Sequence, residues 1–323
     1  MARPIIFDSD GGVDDAAALW WACTHPDVDV VAVTAVAGNV DVDQAAVNLA
    51  TVLAAAGQGH VPVAVGAGEA VGPVLPMQRP KGIHGADGLG EAGIPRVDYR
   101  PPAETATELL LRLVNERPGE LSVVATGPLS NLALALRAEP EWAGRVAELA
   151  VMGGAVQAPG NVSPVAEANI AHDPDAAAEV IRAGWAHPPI LVGLDVTMVA
   201  TLTPVEFALM ERRLSPAARF LAAPLAFYRP VGGRFNPPGE CPCHDLVAMM
   251  ALIEPDLLDA PTMPVEVDTG GSAAWGATVV DFRPLSLAEG GKGRPWRIGL
   301  GVDVDRFRSN VRALFGEVPG RSG

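Results

Sequence analysis

The chain has 323 residues, 49% of them hydrophobic, with 23 basic against 38 acidic side chains and a formal net charge of −15. That length and apolar content exclude a disordered chain or a disulfide-stapled miniprotein, because a chain of this size can bury most of its surface. The acidic balance argues against nucleic acid or an anionic membrane as a partner and permits a cation.

Met1 to Pro4 run straight into Ile5-Ile6-Phe7, which reads as a first strand and not as a signal peptide. Strands are predicted at 4–8, 28–35, 62–65, 121–126, 147–152 and 189–193, alternating with helical patterns at 14–24, 42–56, 103–115, 129–138, 173–183 and 204–211. Continuous apolar strands separated by helix-length segments predict a parallel sheet covered on both faces. Beyond residue 200 the pattern changes to helices, a Gly/Pro-rich loop at 229–243, strands near 263–267, 277–282 and 296–300, and a last helix near 303–315. Residues 316–323 read as a frayed tail. With no linker or repeat, the expectation is a single α/β domain over 1–323 with a Rossmann-like, mainly parallel central sheet flanked by helices. No run of about 18 apolar residues predicts a membrane helix. Cys23, Cys241 and Cys243 form an odd set that fits a reducing, cytoplasmic setting better than a disulfide framework.

Sites in such folds lie at the carboxyl ends of the strands. Four aspartates (Asp8, Asp10, Asp14 and Asp15) crowd the segment after the first predicted strand, around a Gly11-Gly12 turn that opens a helix. Helix capping uses one or two carboxylates. Four so close raise one another's pKa unless a cation neutralises them, and hard carboxylate oxygens suit Ca²⁺ or Mg²⁺. Asn161, Glu167 and Asn169 offer amides and a carboxylate to a polyhydroxy ligand such as a sugar. Cys241-Pro242-Cys243-His244-Asp245 lacks the fourth ligand of a structural zinc site, and reads as a proton donor, His244, beside another hard-metal ligand, Asp245. Gly88-x-Gly90-x-x-Gly93 follows no predicted strand and is dismissed as a dinucleotide loop; the Gly290–Gly293 segment lacks the Ser or Thr of a phosphate loop.

Together these segments resemble the nucleoside hydrolases, the inosine-uridine-preferring ribohydrolase family. Asp8, Asp10, Gly12, Asp14, Asp15 and Ala16 match its D-x-D-x-G-x-D-D-A signature. Asn39, His84-Gly85-x-Asp87-Gly88, Thr126-Gly127-Pro128-Leu129, Met152-Gly153-Gly154, Asn161, Glu167-x-Asn169, Asp173-Pro174, Gly193 to Thr197 and His244-Asp245 follow in family order. The resemblance implies calcium-dependent hydrolysis of the N-glycosidic bond of ribonucleosides by a homodimer or homotetramer. It also implies that Asp10, Asp15, Asp245 and the Thr126 carbonyl hold Ca²⁺. Asp14, Asn39, His84, Met152, Asn161, Glu167, Asn169 and Asp245 would contact the nucleoside. Asp10 would activate the water, and His244 is the candidate acid for the leaving base.

Three positions depart from the family pattern. Gly11 stands where proline is usual and is expected to loosen the metal loop; Ala168 replaces an aromatic beside the base; Trp275 lies where arginine is common. Tyr228, just before the Gly/Pro-rich loop, or Phe235, within it, is a candidate to fold over the base. Two other readings compete. One is a ribose- or nucleoside-binding protein without turnover. The other is a Mg²⁺-dependent phosphatase of the haloacid dehalogenase type using Asp8-x-Asp10, although that chemistry also wants a positioned lysine and only Lys81 and Lys292 exist.

Overall fold

The computed structural model describes residues 2–73, 81–232, 236–283 and 293–317. In chain order the first half contains β1 (Arg3–Ser9), α1 (Val13–Thr24), β2 (Val28–Ala35), α2 (Val42–Ala55), β3 (Val63–Val65), α3 (Lys81–His84), α4 (Ala106–Glu116), β4 (Ser122–Ala125), α5 (Ser130–Ala138), β5 (Leu149–Met152), α6 (Ala168–His172) and α7 (Pro174–Arg182). The second half continues with β6 (Ile190–Val192), α8 (Leu194–Thr197), β7 (Thr201–Leu202), α9 (Pro204–Glu211), α10 (Pro216–Gly232), β8 (Cys241–Pro242) and α11 (His244–Ile253). It closes with β9 (Leu258–Asp259), β10 (Thr262–Val267), β11 (Thr278–Val280), β12 (Arg294–Ile298), β13 (Gly301–Val302) and α12 (Val304–Leu314).

A nine-stranded sheet runs in the order β11-β10-β12-β6-β5-β4-β1-β2-β3. Strands β1 to β6 pair in parallel, as their continuous apolar runs predict, and β12 joins β6 in parallel. Only β10 runs antiparallel to its neighbours β11 and β12. The connections leave in opposite directions from β1 and β4, and this reversal opens a crevice beyond their carboxyl ends. The loop 10–12 and Thr126 sit there.

Each face of the sheet carries an apolar core. One packs α1, α2, α10 and α11 against Ile5, Phe7 and Val33; the other packs α4, α5 and α7 against Ile6, Val123 and Val151. Helix α1 buries every residue from Val13 to Ala22, consistent with a sequence that is apolar on all sides. The only polar residues in that stretch are Asp14 and Asp15, in its first turn.

The Gly/Pro-rich segment departs from expectation at its start. Helix α10 continues to Gly232, through Pro224 and Pro230. The apolar face of that helix (Leu221, Leu225 and Tyr228, all buried) holds the turn preceding Pro230 in place. Residues 318–323, most of the predicted tail, together with Phe235, Lys292 and the 290–292 segment, lie outside the described residues. Among the described residues no helix is long and apolar enough to cross a membrane, and the three cysteines form no disulfide.

Candidate active site

Strand β1 carries Asp8 near its carboxyl end and leads directly into the loop that carries Asp10. Asp8 points into the sheet, fully buried, where its Oδ1 accepts from Thr34 Oγ1 at 2.6 Å and Asn131 Nδ2 at 2.7 Å. Its Oδ2 is buried without a partner, and burial raises its pKa to about 6. An enclosed carboxylate of this kind cannot serve as a phosphatase nucleophile, which removes the haloacid dehalogenase reading.

Asp10, at the edge of the crevice, accepts from the Asn39 backbone N–H at 2.7 Å and from Asn39 Nδ2 at 2.9 Å. A methyl group on Gly38 would collide with this carboxylate, so the loop after β2 approaches as bare backbone. Asp15 is clamped from three sides: Ser9 Oγ donates to it at 2.6 Å, Thr126 Oγ1 at 2.7 Å and the Gly12 N–H at 2.8 Å. The last bond also caps α1.

Gly11 does not loosen this loop. It adopts φ +67°, its N–H donates to Ser9 Oγ at 3.1 Å, and its carbonyl accepts from Asn48 Nδ2 at 2.9 Å. Proline has neither that φ nor an N–H. The glycine therefore belongs to a loop pinned by different bonds, and the expectation of a looser loop is corrected.

Helix α11, packed beside α1 on the same face of the sheet, brings in Asp245. Carboxylate oxygens of Asp14, Asp15 and Asp245, all buried, lie within 4.8 Å of one another. Among the described residues no arginine or lysine pairs with them, and Asp14 Oδ1 has no hydrogen-bond partner. Burial first, and then the neighbouring carboxylates, push Asp10 and Asp245 well above the usual carboxylate range and Asp14 to about 7. A divalent cation fits this set: hard oxygen donors, no competing cation, and an unpaired buried oxygen to satisfy. Asp10 lies at the edge of the trio, close enough for Asp15 to raise its pKa.

The sugar-facing candidates lie after β4 and β5. Asn169 Nδ2 bonds the Thr126 carbonyl at 3.0 Å and the Met152 carbonyl at 3.1 Å, joining the ends of both strands. Glu167 caps α6, accepting from the Asn169 N–H at 2.9 Å and the Gly154 N–H at 3.0 Å. Burial raises the Glu167 pKa and these bonds oppose the rise. Asn161 is exposed, and its Oδ1 accepts from the Ala168 N–H at 2.9 Å, which pins its loop to α6. Trp275 and Ala168 are both half-buried.

Two histidines border the acidic trio. The Val13 N–H donates to His84 Nδ1 at 3.1 Å, so that nitrogen carries a lone pair and the ring proton sits on Nε2. Burial lowers its pKa to about 4, so its 3.8 Å approach to Asp14 is not an ion pair. The dismissed glycine segment turns out to brace this residue: Gly90 N–H donates to the His84 carbonyl at 2.8 Å, through backbone with positive φ at Gly88 and Gly90. Tyr228 is buried with its ring centroid 5.2 Å from that of His84, so it forms part of the wall. His244, half-buried at the start of α11, meets Thr197 Oγ1 through Nδ1 at 2.7 Å; burial, then His84, lowers its pKa to about 4.

Sequence reasoning did not assign roles to Ser9, Thr34, Asn131 or Thr197. Single hydroxyls and amides in strands and turns leave no periodic signal. Only their position at strand ends, within segments already singled out, could have drawn attention to them.

Residues 5–309 match the family described as inosine-uridine preferring nucleoside hydrolase. The pyrimidine-specific ribonucleoside hydrolase RihA of Citrobacter koseri is 34% identical over 312 residues, covering 95% of each chain. The inosine-uridine preferring nucleoside hydrolase of Leishmania major is 36% identical, covering 88% of this chain and 89% of its own. Among solved structures, a plant nucleoside hydrolase superposes with a TM-score of 0.91 at 31% identity, covering 98% of this chain and 100% of its own.

Proposed function

Because the chain belongs to the inosine-uridine preferring nucleoside hydrolase family and is a hydrolase of N-glycosyl bonds, we propose that it cleaves ribonucleosides to ribose and free base with a calcium ion held by Asp10, Asp15, Asp245 and the Thr126 carbonyl. The observation that carries this reading is the convergence of buried carboxylates: oxygens of Asp15, Asp245 and Asp14 lie within 4.8 Å of one another, and Asp10 borders them closely enough for Asp15 to raise its pKa. A calcium ion bound there would acidify and orient a water and engage the ribose diol.

The protein's own groups supply the rest. Asp10 accepts the proton of the attacking water; its raised pKa makes it a better base than a surface aspartate, and Asn39 holds both of its oxygens. Cleavage of a glycosidic bond builds positive charge on the sugar. Asp14 and Glu167 face that charge with fixed carboxylates, which is where electrostatic preorganisation contributes most. Asn39, Asn161, Asn169 and Asp245 fix the hydroxyls, Met152 packs beneath the ring, and His84 borders the base.

His244 delivers a proton to the departing base. A ring with a pKa near 4 is a strong acid once protonated, at the cost of being sparsely protonated at neutral pH. The RihA relative is named for pyrimidine nucleosides and the Leishmania relative for inosine and uridine. The substrate panel should therefore span both base classes.

The test is release of free ribose from purine and pyrimidine ribonucleosides, with and without EDTA. Ribose release that EDTA abolishes and calcium restores is the expected result. No release from any nucleoside, with binding intact by calorimetry, would leave the non-catalytic binding reading instead.

A further inference from the structure

We infer that Thr197 is a positioning residue that commits His244 to present Nε2, and only Nε2, to the leaving base; the inference rests on the reading of His244 as the acid. Thr197 is completely buried at the end of α8, and its Oγ1 lies 2.7 Å from His244 Nδ1. No other hydrogen bond reaches that hydroxyl among the described residues. If Nδ1–H of a neutral ring donated to Oγ1, the hydroxyl proton would be buried with no acceptor, which proteins avoid. With the hydroxyl donating to Nδ1 every proton is used, and the ring hydrogen sits on Nε2.

The hydroxyl also serves the charged ring. When His244 is an imidazolium, Nδ1–H donates to Oγ1 at the cost of leaving the hydroxyl proton without an acceptor, and Nε2–H is the other donor. In the cleavage step the Nε2 proton passes to a ring nitrogen of the base as the C1′–N bond breaks and its electron pair stays on the base. Water adds hydroxide to C1′ and gives its other proton to Asp10. The ring is left neutral, and solvent returns one proton to His244 and takes one from Asp10. Throughout, Thr197 accepts or donates at Nδ1 without competing for Nε2. A carboxylate at its position could only accept.

The fold fixes the pair from both sides. Thr197 closes the short helix after β6, and four residues later Thr201 opens β7, which pairs with β8 two residues before His244. Arg308 of α12 ties Thr201 through its carbonyl at 3.1 Å and its hydroxyl at 3.0 Å. The two residues are thus carried on segments already paired in antiparallel register.

The experiment compares inosine and uridine with 4-nitrophenyl β-D-ribofuranoside, whose phenolate departs without a proton. In the calcium-loaded enzyme, Thr197→Val should lower kcat on the two nucleosides by about 10- to 100-fold, the scale of a misaligned catalytic group. It should leave the aryl riboside within about threefold, and Thr197→Ser should recover most of the nucleoside activity. Equal losses on all three substrates would mean a structural role, and no loss on any would mean that Nδ1 needs no partner; either overturns the inference. His244→Gln separates this from the underlying reading. If that variant cleaves nucleosides as well as the wild type, His244 is not the acid, whatever Thr197 does.

Discussion

Asn39 hydrogen-bonds both carboxylate oxygens of Asp10, one through its backbone N–H and one through its side-chain amide. Two bonds from a single residue fix the plane of the carboxylate as well as its position. As the proposed general base, Asp10 gains from that only if orientation matters, so Asn39→Ala should reduce kcat/KM on inosine by about 10- to 100-fold. Asn39 is half-buried in a loop, so the melting temperature should move little. A loss of activity matched by a collapse in thermal stability would count against an orienting role.

Removal of the metal should cost stability as well as activity. The trio Asp14, Asp15 and Asp245 is buried and mutually repulsive, and a cation that binds only the folded state stabilises it by mass action. At a hundredfold excess over Kd that contribution is about 2.7 kcal/mol. Differential scanning fluorimetry in EDTA, then with calcium or magnesium added back, should show a higher melting temperature with one of them. The same melting temperature in all three conditions would argue that the cluster holds no ion.

Much of this site was legible because chemistry and chain position coincide in one short segment. Asp10, Asp14 and Asp15 follow an apolar run that had to be a strand, and strand ends in a parallel sheet face one edge. Strand order was less accessible: the pairing of β12 with β6, across residues 193–293, depends on tertiary packing that no local pattern encodes. Thr197 illustrates a second limit, since a lone threonine meets His244 only once β7 and β8 have paired. Gly11 illustrates a third. Its identity suggested flexibility, whereas the backbone uses it for a left-handed conformation held by Ser9 and Asn48.

That conformation makes a counterintuitive substitution informative. Gly11→Pro would install the residue usual in the family pattern, yet proline cannot reach φ +67° and would delete the N–H bond to Ser9. Gly11→Ala would place its Cβ 2.8 Å from the Ala45 backbone. Both variants should be destabilised, by about 2 kcal/mol or more, and both should bind calcium more weakly because Ser9 also orients Asp15. Urea denaturation and calcium titration would check this. A Gly11→Pro variant at least as stable as the wild type would show that the loop can switch to another backbone path.

Asp8 gives the metal-free protein a definite dependence on pH. Its folded pKa, about 6, lies above its ordinary value of 3.8 because burial penalises the charge. The folded state therefore binds the proton more tightly, and the associated stability is complete below about pH 4 and lost as pH rises through about 6. At about 1.4 kcal/mol per unit, the difference amounts to about 3 kcal/mol. Asp8→Asn keeps an oxygen for Thr34 and Asn131 and sets its amide where Oδ2 already lacks a partner, so it does not titrate. In EDTA, the stability of the wild type relative to Asp8→Asn should fall between pH 4 and 6 and level off above. A constant difference across that range would mean that Asp8 does not titrate there.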